Sequence, residues 1–294
     1  MSKSELPAIR FHEDSVLFQE SVRFTAAETA FTARLIEKDY FCTVLLAYLA
    51  VAAGDDLVFK GGTCLAKVHA GLYRLSEDLD FAISMPVKAS RSERSKQVEG
   101  AKKAVAALSK HLPGVRVVEP LKGSNNSMQY AAVVGYASLL SREEETIKIE
   151  VGMREPLLMP AMEALARTLL LDPVTGKPLV PLVSLRCMSK TETLAEKFRA
   201  ALSRREAAVR DFYDIDHAVR KGGLRPDAID LVKQVKQKLA VPGNEPVDIS
   251  GERLSALSKQ LEPQLRSVLR EQDFAEFDLE RAFKIVVHMA EAVR

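Results

Sequence analysis

Hydrophobic residues fall first into a helical pattern. From about Thr25 to Ala53, Leu35, Ile36, Phe41, Leu45, Leu46 and Leu49 recur at mixed helical spacings, and Asp55-Asp56 ends the run. Leu57-Val58-Phe59-Lys60 then predicts a short strand, which Gly61-Gly62 breaks. Leu65, Val68 and Leu72 restore helical spacing between Cys64 and Tyr73. From Asp78 to Ser84 the period drops to two. Leu79, Phe81 and Ile83 face one way and Asp78, Asp80, Ala82 and Ser84 the other, so the pattern predicts a strand with one carboxylate-bearing face.

A helix follows near Glu93 to Leu112, with Val98, Ala101, Val105 and Leu108 inward. Strands are predicted at Val115 to Val118, Tyr130 to Tyr136 and Thr146 to Val151. In the last of these, Ile147, Ile149 and Val151 share one face and Lys148 and Glu150 the other. Pro173, Gly176, Pro178 and Pro181 form a breaker cluster, read as a domain boundary, and from Leu185 onward only helices are expected. The amphipathic stretches Ala228 to Leu239, Ser250 to Leu269 and Ala275 to Val293 read as packing helices, with Pro242-Gly243-Asn244 separating the first two. The pattern describes an α/β (α+β) chain, with an N-terminal domain over 1–184 and a helical C-terminal domain over 185–294.

Composition narrows the picture. An aromatic content of 6% without Trp favours a helix-rich chain, and 42 basic against 40 acidic residues mean that any basic site must be local. Cys42, Cys64 and Cys187 are odd in number and widely spaced, which suits a reducing compartment, the cytoplasm, and gives neither a disulfide framework nor a Cys-x-x-Cys zinc site. The apolar run from Cys42 to Ala53 falls short of the roughly 20 residues that span a bilayer. The first residues carry no apolar signal region, so no export segment and no membrane partner are expected.

The chemistry concentrates in Lys60-Gly61-Gly62-Thr63 and, after fourteen further residues, Asp78-Leu79-Asp80. Two aspartates at i and i+2 on a strand place both carboxylates on one face, where they can share divalent ions that bridge a nucleoside triphosphate. A glycine turn opening a helix lets backbone N–H groups approach phosphate oxygens. Either motif alone is commonplace; the spacing and the strand–turn–helix–strand context give the combination its weight.

These motifs resemble the AbiEii/AbiGii-type toxin nucleotidyltransferases of bacteria, relatives of the DNA polymerase β-like superfamily found in type IV toxin–antitoxin systems. The resemblance rests on Glu37-Lys38-Asp39-Tyr40, Phe59-Lys60-Gly61-Gly62-Thr63, Arg74-Leu75-Ser76-Glu77-Asp78-Leu79-Asp80-Phe81, Ala195-Glu196-Lys197 and Arg210-Asp211-Phe212-Tyr213-Asp214. It implies a mixed-sheet nucleotidyltransferase domain followed by a helical domain. It also implies transfer of a nucleotide from an NTP with release of pyrophosphate, an RNA acceptor such as the tRNA 3′ end, inhibition of translation, and a cognate antitoxin. Gly61, Gly62, Thr63 and Ser76 correspond to phosphate-proximal positions, Asp78 and Asp80 to ligands of Mg2+ or Mn2+, and Lys197 to a lysine that meets the triphosphate. Glu150 is the candidate third carboxylate, with an exposed pair to Lys148 as the alternative. For Lys197 and Lys190 the alternative is a solvated helix face.

Asp211 and Asp214 lie at i and i+3 on one side of a helix, where Asp211 is the better functional candidate and Arg210 can pair with Asp214. The basic residues Arg186, Lys190, Lys197, Arg199, Arg204, Arg205 and Arg210 offer RNA phosphates a local excess of charge, or merely snorkel along a helix. Ser76 is also a candidate control point, since its phosphorylation would add about −1.5 to −2 charges beside the aspartates. The five histidines are scattered, and zinc and serine hydrolase readings fall away. Transfer to a protein or small molecule, and non-catalytic nucleotide binding, are the competing readings.

Overall fold

The computed structural model describes residues 9–294. It forms two compact units, one ending at Met188 and the other running Ser189–Arg294. The first unit is built on a seven-stranded mixed sheet: β1 (Val58–Lys60), β2 (Leu79–Ala82), β3 (Val115–Ser124), β4 (Gln129–Ala137), β5 (Glu144–Gly152), β6 (Met162–Ala166) and β7 (Val183–Cys187). Their spatial order is β3-β4-β5-β2-β1-β7-β6. β2 runs antiparallel to β1 and parallel to β5, and β1 runs parallel to β7. The expected α/β class with a mixed sheet is therefore the observed one.

The alternation read at β2 and β5 is what the sheet uses. Leu79, Phe81 and Ile83, and Ile147, Ile149 and Val151, are all buried in the core. Helices α1 (Ser15–Thr29) and α2 (Ala33–Ala52) replace the single helix expected from Thr25 to Ala53. Ala30 ends α1 in the left-handed region at φ 60°, and the Thr32 side chain caps α2 by accepting from Leu35 N–H. Without Gly or Pro at the junction, the sequence carries no break signal there.

α2 is buried along its whole length from Leu35 to Leu49, including three consecutive charged residues. Each has a partner. Glu37 accepts from Ser138 Oγ at 2.6 Å and Leu139 N–H at 2.8 Å, Lys38 pairs with Glu77, and Asp39 binds Lys67 Nζ at 2.6 Å. Burial pushes the Glu37 carboxyl upward from its ordinary range.

After the short helix α3 (Gly61–Cys64) comes a wider helical turn, Leu65–His69. The predicted helix ends there, short of Tyr73. The helix expected from Glu93 to Leu112 is present as α4 (Arg91–Gln97) and α5 (Glu99–His111), with Val98, Ala101, Val105 and Leu108 buried as predicted. The sheet edges are where the sequence falls short. β3 continues past Val118 through Pro120, which an edge strand tolerates. β6, Met-Glu-Ala-Leu-Ala, is made of helix formers. β7 crosses the expected 184/185 boundary, and the breaker cluster instead forms the connection between β6 and β7.

The second unit is helical: α6 (Lys190–Ser203), α7 (Val209–Arg220), α8 (Ile229–Leu239), α9 (Gly251–Ser258), α10 (Glu271–Glu276) and α11 (Leu279–Ala292). Phe212 of α7 stacks on Phe283 of α11 with ring centroids 5.9 Å apart. Buried Lys238 donates to Glu192 at 2.7 Å. Asn244, from the predicted breaker, donates to the carbonyls of Lys238, Leu239 and Val241 and so closes the end of α8.

Candidate active site

β1, the glycine turn and β2 put the predicted residues together. Lys60 at the end of β1 is the cross-strand partner of Asp80, and Asp80 is the partner of Glu150 on β5. Partners in register share a face, with Cβ atoms roughly 5 Å apart. A row Lys60–Asp80–Glu150 therefore crosses three neighbouring strands. Asp78 stands one residue before β2, two positions from Asp80, and both aspartates are half-buried. The Asp78 carbonyl accepts from Thr63 Oγ1, so buried Thr63 ties the turn to the backbone that carries the first aspartate.

Gly61 is required at its position for two reasons. Its φ is +77°, and a Cβ placed there would lie 2.3 Å from Asp80 Oδ2. The turn's backbone therefore lies directly against the carboxylate, leaving the α3 N–H groups beside the acidic face. Gly61→Ala is expected to keep the secondary structure but lose most transfer activity, because either Asp80 or the turn has to move. A rate within about twofold of wild type, in a variant of unchanged circular dichroism, would remove this role, since displacement of about 1 Å can itself reduce rates by roughly 10²-fold.

For Glu150 the structure shows the ion pair with Lys148 and a position beside Asp80. The Lys148 ammonium is raised above its usual pKa, chiefly by the hydrogen bond to Glu150 and to a smaller extent by Asp78 and Asp80. One lysine thus feels three carboxylates. Glu77, next to Asp78, is subject to burial that would raise it, but Lys38 and Arg34 outweigh this and hold it below the ordinary range. Ser76 is half-buried between Leu75 and Glu77, two residues before Asp78. Lys60, directly before the glycines, and Lys148, at period-two spacing with Glu150, stand in the sequence motifs of the site, but the sequence assigns neither a role of its own.

The donor set fits hard divalent cations. Carboxylate oxygens such as those of Asp78, Asp80 and Glu150 are the ligands that Mg2+ and Mn2+ take, and the absence of a side chain at Gly61 is what lets the Asp80 carboxylate pack against the turn.

Within the second unit, Lys197 Nζ lies 2.7 Å from Asp211 Oδ1 and 2.8 Å from Asp214 Oδ2. Lys197 is only 12% exposed and Asp214 fully buried, so the solvated-face alternative does not describe this lysine. Asp214 takes Lys197 as a partner, and Arg204 approaches Asp211 at 3.6 Å. The basic run is not one stripe. Arg186 lies on β7, donating to the Asp55 carbonyl, while Arg204 and Arg205 lie exposed between α6 and α7.

The family model for the nucleotidyl transferase AbiEii toxin of type IV toxin–antitoxin systems matches residues 44–287. The chain belongs to the AbiEii family. No curated protein matches it. Two solved structures share the AbiEii chain's fold. One is a provisionally assigned nucleotidyltransferase from H. pylori, at TM-score 0.53 and 17% identity over 90% of this chain and 96% of that one. The other is JHP933 from Helicobacter pylori, at TM-score 0.51 and 18% identity over 90% and 93%. This AbiEii protein is accordingly a nucleotidyltransferase and the toxin member of a toxin–antitoxin pair, which implies an NTP substrate and a cognate antitoxin. Among the described residues no helix is long and apolar enough to cross a membrane.

Proposed function

We propose that the protein transfers a nucleotide from an NTP to RNA, with the tRNA 3′ end as acceptor, and thereby blocks translation. The observation that carries this reading is the row of carboxylates on β2 and β5 with the Gly61 backbone packed against Asp80. Asp78, Asp80 and Glu150 would hold Mg2+ or Mn2+, which when bound neutralises triphosphate charge and makes the attacking hydroxyl more acidic. The chain's own residues do the positioning. The Gly61–Thr63 turn presents backbone N–H groups to phosphate oxygens, Thr63 fixes the Asp78 backbone, and Lys148 and Lys60 add positive charge beside the acidic row. The acceptor hydroxyl gives up its proton to solvent as its oxygen bonds to the α-phosphorus, the bond to the β-phosphate oxygen breaks, and pyrophosphate leaves. Lys197, Asp211 and Ser76 are assigned to the same chemistry by the family motifs they occupy.

Incubation with each α-labelled NTP, Mg2+ and separate pools of RNA, protein or small molecules tests the acceptor. Label at tRNA 3′ ends is the expected result, and label confined to protein or small molecules would overturn it. Exposed Arg204 and Arg205 supply charge for RNA phosphates. The double variant Arg204→Ala/Arg205→Ala is expected to use RNA less well and to flatten its log–log salt dependence by about 1.4, from roughly 0.7 per lost single-strand contact. An unaltered slope would exclude both arginines from the RNA path.

A further inference from the structure

Side chains from three structural pieces, two close in sequence and one on a distant strand, converge beside the glycine turn. Cys64 ends α3, His69 ends the helical turn after it, and Cys187 ends β7. One ligand atom from each lies within 4.8 Å of the other two. Both cysteines are fully buried and His69 half-buried. His69 Nε2 lies 2.9 Å from the Met188 carbonyl oxygen, an acceptor only, so this nitrogen carries the ring proton and Nδ1 keeps the lone pair. A backbone carbonyl that fixes the tautomer in this way is the usual companion of a metal-ligating histidine.

We infer that Cys64, His69 and Cys187 form a zinc site that braces the nucleotide-binding turn. Two thiolates and an imidazole select Zn2+ over the hard cations suited to Asp78, Asp80 and Glu150, so the ligand types sort the two metals. Three protein ligands leave one tetrahedral position to solvent, which reaches half-buried His69. Binding displaces the two thiol protons and involves no redox change. The site would tie β7 to α3, whose first residue lies against Asp80, while Phe59 of β1 is in register with Cys187. The sequence hides it because the short spacing from Cys64 to His69 is completed only by a residue on a distant strand.

The test is a titration of the reduced, metal-free full chain with Co2+. The expected result is a near-ultraviolet thiolate-to-cobalt charge-transfer band with intense visible bands of tetrahedral cobalt, saturating at a single ion per chain and abolished by Zn2+. The Asp78→Ala/Asp80→Ala variant should retain these bands, which keeps the inference separate from the transferase reading. Cys187→Ser should lose the charge-transfer intensity contributed by its sulfur, and His69→Phe should weaken Co2+ binding at least about tenfold, since even partners that only orient a ligand are worth 10–100-fold. Zn2+ should also raise the Tm of the wild-type chain and not of Cys64→Ser. A folded, reduced wild-type chain without the charge-transfer band overturns the site, as do bands unchanged in Cys187→Ser. If either cysteine variant fails to fold, the wild-type titration alone decides.

Discussion

Asp80→Ala is expected to abolish nucleotide transfer while leaving the fold and Tm nearly unchanged. Asp80 is half-buried on the acidic face, in register with Lys60 on one side and Glu150 on the other, and the side chain fills no core cavity. Its removal takes away the central carboxylate of the row, and on the proposed metal-dependent chemistry Glu150 and Asp78 alone would be too few to hold the triphosphate's cations. The loss should exceed the roughly 10–100-fold that follows from deleting a partner that only orients a metal ligand. Asp78→Ala should behave likewise. Transfer should also stop in EDTA and return with Mg2+ or Mn2+. Transfer by the folded double variant, or full activity in EDTA, would refute the metal-dependent chemistry.

This face was legible because β2 obeys a strict period of two, so Leu79 and Phe81 could be assigned to the core and Asp78 and Asp80 to the opposite side without knowledge of the neighbouring strands. β5 was legible for the same reason. What the sequence could not supply is adjacency. That Glu150 lies beside Asp80, and Lys60 on the other side, depends on strand order, which joins residues seventy positions apart through backbone hydrogen bonds. β6 and β7 escaped notice because Met162–Ala166 is composed of helix formers and Val183–Cys187 follows a proline cluster. Lys197 and Asp211 were found through family motifs, but their mutual contact depended on the packing of α6 against α7.

Asp39→Ala is expected to be strongly destabilising. Lys67 Nζ is 1% exposed and sits 2.6 Å from Asp39 Oδ1, while Asp39 Oδ2 accepts from Thr168 Oγ1 and Leu169 N–H. Deleting the carboxylate leaves a buried ammonium with the neutral acceptors of Asp39 O, Thr43 Oγ1 and Arg167 O, and orphans two further donors. Removing one member of a buried pair destabilises by about 3–5 kcal/mol. At about 2–4 °C per kcal/mol for a domain of this size, Tm should fall by about 6–20 °C. The apolar double variant Asp39→Leu/Lys67→Met should recover part of the loss, because it removes both charges together. Urea unfolding of the three proteins measures this directly. A loss below about 1 kcal/mol for Asp39→Ala would show that the pair is relaxed or hydrated in solution.

The in-register contact of Asp80 with Glu150 also governs how such a chain can change length over evolution. Inserting or deleting a single residue within β2 or β5 would turn that strand's alternate side chains over, carrying carboxylates into the core and Leu79 or Ile149 out of it. Added length is tolerable only where no ladder counts residues, as at the exposed tip, residues 174–177, of the connection between β6 and β7. Substitution can therefore tune this site gradually, whereas an indel in either strand destroys it in one step.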